Sequence, residues 1–77
     1  MTGEQLLERI SIDPAVAFGK PTVKGTRIAV GLVLELLAGG MTTDELLEEY
    51  PQLSGDDVRA CLAYGAQLAN ETFVDVA

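Results

Sequence analysis

The stretch GKPTVKGTRIAV, Gly19–Val30, decides how the chain is read. It packs three of the five basic residues, two glycines and a proline into one short run. A phosphate-cradling loop needs Gly, four residues, Gly, then Lys and Ser or Thr, leading into a helix. Here five residues separate Gly19 from Gly25, Thr26-Arg27 follows, and the next run is strand-like. A dinucleotide fingerprint fails too, because no strand-GxGxxG-helix unit is present. The reading left is a turn and a strand. Gly25 supplies a positive φ, Pro21 fixes its own φ, and Arg27 is available to pair with Asp13 or with an acid of the later half. A basic ribbon that touches phosphate stays open as the second reading of the same stretch.

Outward from this run, RISID (residues 9–13) alternates with period two and closes at Asp13-Pro14, which predicts a short strand and a turn. TRIAV (residues 26–30) is β-branched enough to be the second strand and is expected to pair with RISID. Residues 2–8 read as a short helical or frayed start. Val30, Val33, Leu34 and Leu37 then recur at helical spacing, with Glu35 the only charge between Val30 and Ala38. Such a helix, apolar nearly all round, asks to be buried on several sides. Gly39-Gly40 ends it. Thr42 to Glu45 fits a capping box, with Met41 and Leu46 at the staple positions, and Pro51 stops this next helix. Ser54 caps the last helix, Leu53 and Val58 repeat the staple, and Asp56 and Asp57 suit the positive end of the dipole. Its expected buried stripe is Val58, Cys61, Leu62, Gly65, Ala69 and Phe73.

The expected organisation is one mainly α domain over residues 1–77. A β ribbon occupies about residues 10–29, and helices occupy about 30–38, 43–50 and 54–70. The trio is compatible with a helix-turn-helix arrangement. A chain of 77 residues with 48% hydrophobic content buries little surface alone, so a homodimer is expected. Its candidate contact residues are Ile28, Leu32 and Leu36.

Charge and composition narrow the function. Residues 1–30 hold Arg9, Lys20, Lys24 and Arg27 against three acids, a net charge of +1. Residues 31–77 hold Arg59 against nine acids, a net charge of −8. The whole molecule repels polyanions, and only the N-terminal half approaches nucleic acid without penalty. With no histidine and one cysteine, histidine-based catalysis is excluded, and no metal or cofactor is expected. Cys61 sits on an apolar stripe and reads as core. No apolar run approaches the ~20 residues of a bilayer span, and MTGEQLLERI lacks the features of a secretory signal. The expectation is a cytoplasmic protein that is not an enzyme and does not enter a membrane.

Several spaced motifs in order give the chain a resemblance. Asp13-Pro14, Gly19-Lys20-Pro21, Gly25-Thr26-Arg27-Ile28-Ala29-Val30 and Gly40 are followed by Glu45-Leu46-Leu47, Tyr50-Pro51-Gln52-Leu53 and Ala63-Tyr64. Over roughly residues 10–70 this resembles the small bacterial, antitoxin-like family catalogued as domain of unknown function 433. Ala29 is a departure, since many members have proline there. The resemblance implies a homeodomain-like three-helix domain after a β ribbon. It also implies the antitoxin half of a type II toxin–antitoxin pair, neutralising a PIN-like ribonuclease and repressing its own operon. An acidic module suits the basic cleft of a ribonuclease, so residues 44–57 and the tail residues Glu71, Phe73, Val74 and Asp75 are the toxin-binding candidates. Nucleic-acid candidates are Lys20, Lys24, Arg27 and Arg59. Asp56 and Asp57 open the last helix and oppose phosphate, which makes operator DNA a weak partner. The alternative function is a stand-alone helix-turn-helix DNA-binding protein without a toxin.

Overall fold

The computed structural model describes residues 1–71. The elements are α1 (Gly3–Leu7), β1 (Ile10–Ser11), a one-turn segment Ala17–Gly19, β2 (Thr22–Val23), α2 (Val30–Ala38), α3 (Thr43–Glu49) and α4 (Gly55–Glu71). The molecule is therefore mainly helical with one two-stranded antiparallel sheet. Among the described residues, no helix is long and apolar enough to cross a membrane.

The sheet departs from expectation. β1 pairs with Thr22–Val23, not with residues 26–30: Ile10 faces Val23 and Ser11 faces Thr22. The run TRIAV lies on the other side of β2 and forms no strand with it, only an isolated antiparallel bridge between Thr22 and Ala29 beside the bonds of a tight turn. The cause is the tight turn at Gly25, whose φ is +82°. The Thr26 amide donates to the Val23 carbonyl at 3.0 Å, and the Val23 amide donates to the Ile28 carbonyl at 3.0 Å. The Thr26 hydroxyl donates to the Val23 carbonyl at 2.8 Å and accepts from the Ile28 amide at 3.0 Å. Gly25 and Thr26 thus form a stitched corner, which accounts physically for the glycine-threonine pair. Ile28 is then turned inward and buried beside Val23. This corrects its assignment to a dimer contact, because its side chain is already covered within one chain.

The loop between the strands is strained. Asp13 Oδ1 accepts from the Ala15 amide at 2.9 Å and starts the turn. Ala17, Phe18 and Gly19 then follow at φ +51°, +58° and +81°. A non-glycine residue in this left-handed region costs roughly 1–2 kcal/mol, so Ala17 and Phe18 hold a conformation that only the surrounding bonds sustain. Gly19 N–H to Val16 C=O (3.0 Å) and Lys20 N–H to Ala17 C=O (3.2 Å) are two of those bonds.

α2 starts without a side-chain cap; its N-cap Ala29 has φ −71°, a value proline also takes. Its first amide, Val30 N–H, donates to Pro21 C=O at 3.0 Å, which ties the helix to the loop. It ends in a Schellman motif: Met41 N–H donates to Leu36 C=O and Gly40 N–H to Leu37 C=O, with Gly40 at φ +105°. The capping box of α3 is formed on both sides by Thr42 and Glu45. The next reciprocal cap, at α4, uses aspartate in place of glutamate. Ser54 N–H donates to Asp57 Oδ2 at 2.9 Å, and Asp57 N–H donates to Ser54 Oγ at 3.2 Å.

The core gathers Val23, Ile28, Val30, Val33, Leu46, Leu53, Val58 and Cys61, all buried, with Ile10, Leu34 and Tyr64 packed against it. Leu46 and Val33 are fully enclosed, each contributing about 1.5–3 kcal/mol by the area it removes from water. The inward stripe of α4 is shifted from the expected one. Val58, Cys61 and Gly65 face α2 and α3, but Leu62 and Ala69 are exposed, and Ala60 is fully buried. The reason is α1, which packs against α4 and gives that helix a second covered side. Gly65 is a close approach: a Cβ there would meet Leu34 Cδ1 at 3.1 Å. Phe73 lies outside the described residues.

Candidate functional site

The polar centre of the molecule forms where β1 and α1 meet the start of α4. Arg9, the residue before β1, donates from Nη1 to Asp57 Oδ1 at 3.1 Å and reaches Asp56 at 3.7 Å. Arg59 donates to Asp56 Oδ1 at 3.2 Å from the next turn of the helix. Asp57 therefore serves two elements at once: it closes the α4 cap and anchors the N-terminal segment. Its side chain is only 13% exposed, against 37% for Asp56 and 72% for Arg59. This changes the charge picture at the α4 N-terminus. The two aspartates do not stand free before a ligand; both are bound to arginines.

Two open clefts flank the ribbon. One is lined by Met1, Gln5, Glu8, Arg9, Lys24 and Asp57, the other by Ser11, Asp13, Val16, Thr22, Gly25, Thr26 and Arg27. The nucleic-acid candidates are divided between them. Lys24 lies in the first, where Lys24 N–H donates to Arg9 C=O at 2.7 Å. Arg27 lies in the second, opposite Asp13, and forms no ion pair among the described residues. Lys20 is exposed on the loop, and Arg59 is on α4, held by Asp56. These four cations do not line one cleft.

The acidic surface is more concentrated. Asp44, Glu45, Glu48 and Glu49 are all exposed on α3, and among the described residues none forms an ion pair. Glu45 is spoken for by its cap: the Thr42 backbone N–H, then the Thr42 side chain, hold its carboxyl below the usual range. Of the dimer candidates, Leu32 is 38% exposed and Leu36 half-buried against the core. Of the tail candidates, Glu71 ends α4, while Phe73, Val74 and Asp75 lie outside the described residues. Cys61 is fully buried, and burial, with a smaller push from the Asp57 charge, raises its thiol to about 11, which suits a core residue and not a nucleophile. Among the described residues no group of three or more metal-ligating side chains comes together.

Two features escaped the sequence reading. Arg9 carried a signal, as the one cation near two glutamates with an Asp-Asp pair later in the chain. Phe18 carried none: it is 98% exposed on the left-handed turn, a conformation that neither alanine nor phenylalanine announces.

Comparison with known proteins follows the same span. The family described as Protein of unknown function (DUF433) matches residues 10–65. The crystal structure of a DUF433 member protein from Anabaena variabilis superposes with a TM-score of 0.77 at 31% identity, covering 88% of this chain and 67% of that one. A search of the curated proteins returns no match.

Proposed function

The chain belongs to the DUF433 family, and from that membership we propose that it is the antitoxin of a type II toxin–antitoxin pair, a protein-binding module that occupies the basic cleft of a PIN-like ribonuclease. The observation that carries this reading is the row of exposed carboxylates on α3, Asp44, Glu48 and Glu49, which no cation of the described chain neutralises. A surface of that kind competes with RNA for a cleft built to hold a polyanion, and it speeds encounter at low salt. Glu71, Phe73, Val74 and Asp75 are the second part of the proposed contact. The reading is non-enzymatic and cytoplasmic, and it takes α2, α3 and α4 as a homeodomain-like trio whose tight corner, Leu53 N–H to Tyr50 C=O at 2.9 Å, joins the last two helices.

The test is co-purification with the PIN-like ribonuclease encoded beside it, followed by an RNA-cleavage assay. Stoichiometric inhibition is expected. Reversing Asp44, Glu48 and Glu49 together to lysine should weaken it by about 10–100-fold, mostly through slower association. Cleavage that continues at full rate beside an excess of the folded chain sinks the proposal. A second reading, a stand-alone DNA-binding protein, is favoured by the exposure of Lys20, Lys24 and Arg27. Changing those three to glutamine should then reduce the salt slope of operator binding.

A further inference from the structure

We propose that residues 2–9 form a strap that lifts off the start of α4 while the rest of the chain stays folded, with Arg9 as its latch. Lifting unmasks Asp57 and the flank of α4 around Ala60. The opening stands apart from the antitoxin reading. Its use rests on that reading, because a freed Asp57 joins the carboxylates offered to a basic cleft.

The strap carries little of the core. No residue from 1 to 10 is fully buried: Leu6, Leu7, Arg9 and Ile10 are half-buried and the others exposed. The buried cluster that runs from Val23 to Cys61 takes no member from α1. Ala60 shows what the strap does cover. It is fully buried yet stands outside the cluster that takes Val58 and Cys61, and α1 packs against its helix. An element with few buried apolar contacts opens at a lower free energy than the whole molecule.

The hydrogen bonds of the strap are local. Thr2 N–H donates to Gln5 Oε1 at 2.9 Å, and Gln5 N–H donates to Thr2 Oγ1 at 3.2 Å. The amides of Leu6, Glu8 and Arg9 donate to the carbonyls of Thr2, Gln5 and Leu6. Lifting hands these groups to water without unpairing a donor of the body. A helix of five residues does not persist in water alone, so the lifted strap melts and its amides exchange. The hinge is fixed from the other side, where Lys24 N–H donates to Arg9 C=O at 2.7 Å and the strap runs into β1.

The polar fastening between strap and body is the Arg9 pair, 3.1 Å to Asp57 and 3.7 Å to Asp56. Asp57 keeps its bonds with Ser54 when Arg9 leaves, so the α4 cap survives opening. Arg59 still holds Asp56. Asp57 is therefore the carboxylate that opening frees. The open cleft has Met1, Gln5, Glu8 and Arg9 on the strap side and Lys24 and Asp57 on the body, and it marks the seam along which the two part.

Hydrogen exchange of the free full chain, read amide by amide by NMR, tests the opening whether or not a ribonuclease binds. Rates are taken relative to an unstructured peptide at the same salt. The Leu6 and Glu8 amides should be protected about tenfold, and at least about 100-fold less than those of Val33 and Leu46. Raising salt from about 0.1 M to 1 M shortens the screening length from about 10 Å to 3 Å. It should speed the strap amides about 2–3-fold without speeding those of the core. Arg9→Gln, with its fold checked by circular dichroism, should speed the strap amides about 2–5-fold and abolish their response to salt. Strap amides as protected as the core, or not protected at all, overturn the proposal. So does strap exchange that ignores salt or Arg9→Gln.

Discussion

Asp57 shows how one carboxylate can be asked to do two things. One oxygen accepts from the Ser54 amide to close the α4 cap, and the other accepts from Arg9, forty-eight positions earlier in the chain. The hydrogen bond accepted from the Ser54 amide is worth about 0.5–1 kcal/mol. The ion pair, screened on its arginine side, adds about 0.5–1 kcal/mol. Asp57→Ala should therefore lower unfolding free energy by about 1–2 kcal/mol, readable as a urea midpoint shift. Asp57→Asn separates the parts, because its side-chain oxygen still accepts from Ser54 while the charge is gone. About half the alanine loss is expected for asparagine. Equal losses would mean that the cap contributes nothing beyond charge. No loss with alanine would mean that Arg9 and the cap do not hold the N-terminal segment to α4.

At the scale of elements, what could be read in advance divides along the range of the interactions. Helix boundaries were legible because their signals are local: Thr42 with Glu45, Gly40 after Ala38, and Ser54 before α4 are each satisfied within one turn. The strand pairing was not, because TRIAV and TV are both good strand formers, and the choice is made by the corner that Gly25 and Thr26 stitch. The stripe on α4 was misread at Leu62 because burial of Ala60 depends on α1, a distant partner. The strained turn that lifts Phe18 has no local signal at all. The α3 cap yields a prediction with a definite sign. Its hydrogen bonds lower the Glu45 carboxyl relative to the unfolded chain. Stability from that difference is present above the unfolded carboxylate range and is lost as pH falls through the lowered folded value. Glu45→Gln keeps an oxygen for the Thr42 amide but has no proton to gain. Urea midpoints followed from neutral pH down to about pH 3 should fall less steeply for Glu45→Gln than for the parent. Parallel curves would remove the capping carboxylate from the acid response of α3.

The whole molecule is a charge-divided object, and added salt should stabilise its fold. Net charge is −7, with the excess in residues 31–77. Among the described residues three ion-pair contacts compensate, all of them among Arg9, Arg59, Asp56 and Asp57. The other carboxylates of residues 1–70 pair with no cation, so repulsion within the folded chain outweighs what these exposed and half-exposed pairs return. Raising ionic strength from about 0.01 M to 0.1 M shortens the screening length from about 30 Å to 10 Å. That span separates whole helices, so repulsion is screened before the contacts near 3 Å are. Unfolding free energy of the single chain should rise by about 0.5–1 kcal/mol over this range. Urea midpoints of the chain at the two ionic strengths measure this effect. A chain that loses stability as salt is added would show that the Arg9–Asp57 knot, and not the acidic helical surface, governs the electrostatics of the fold.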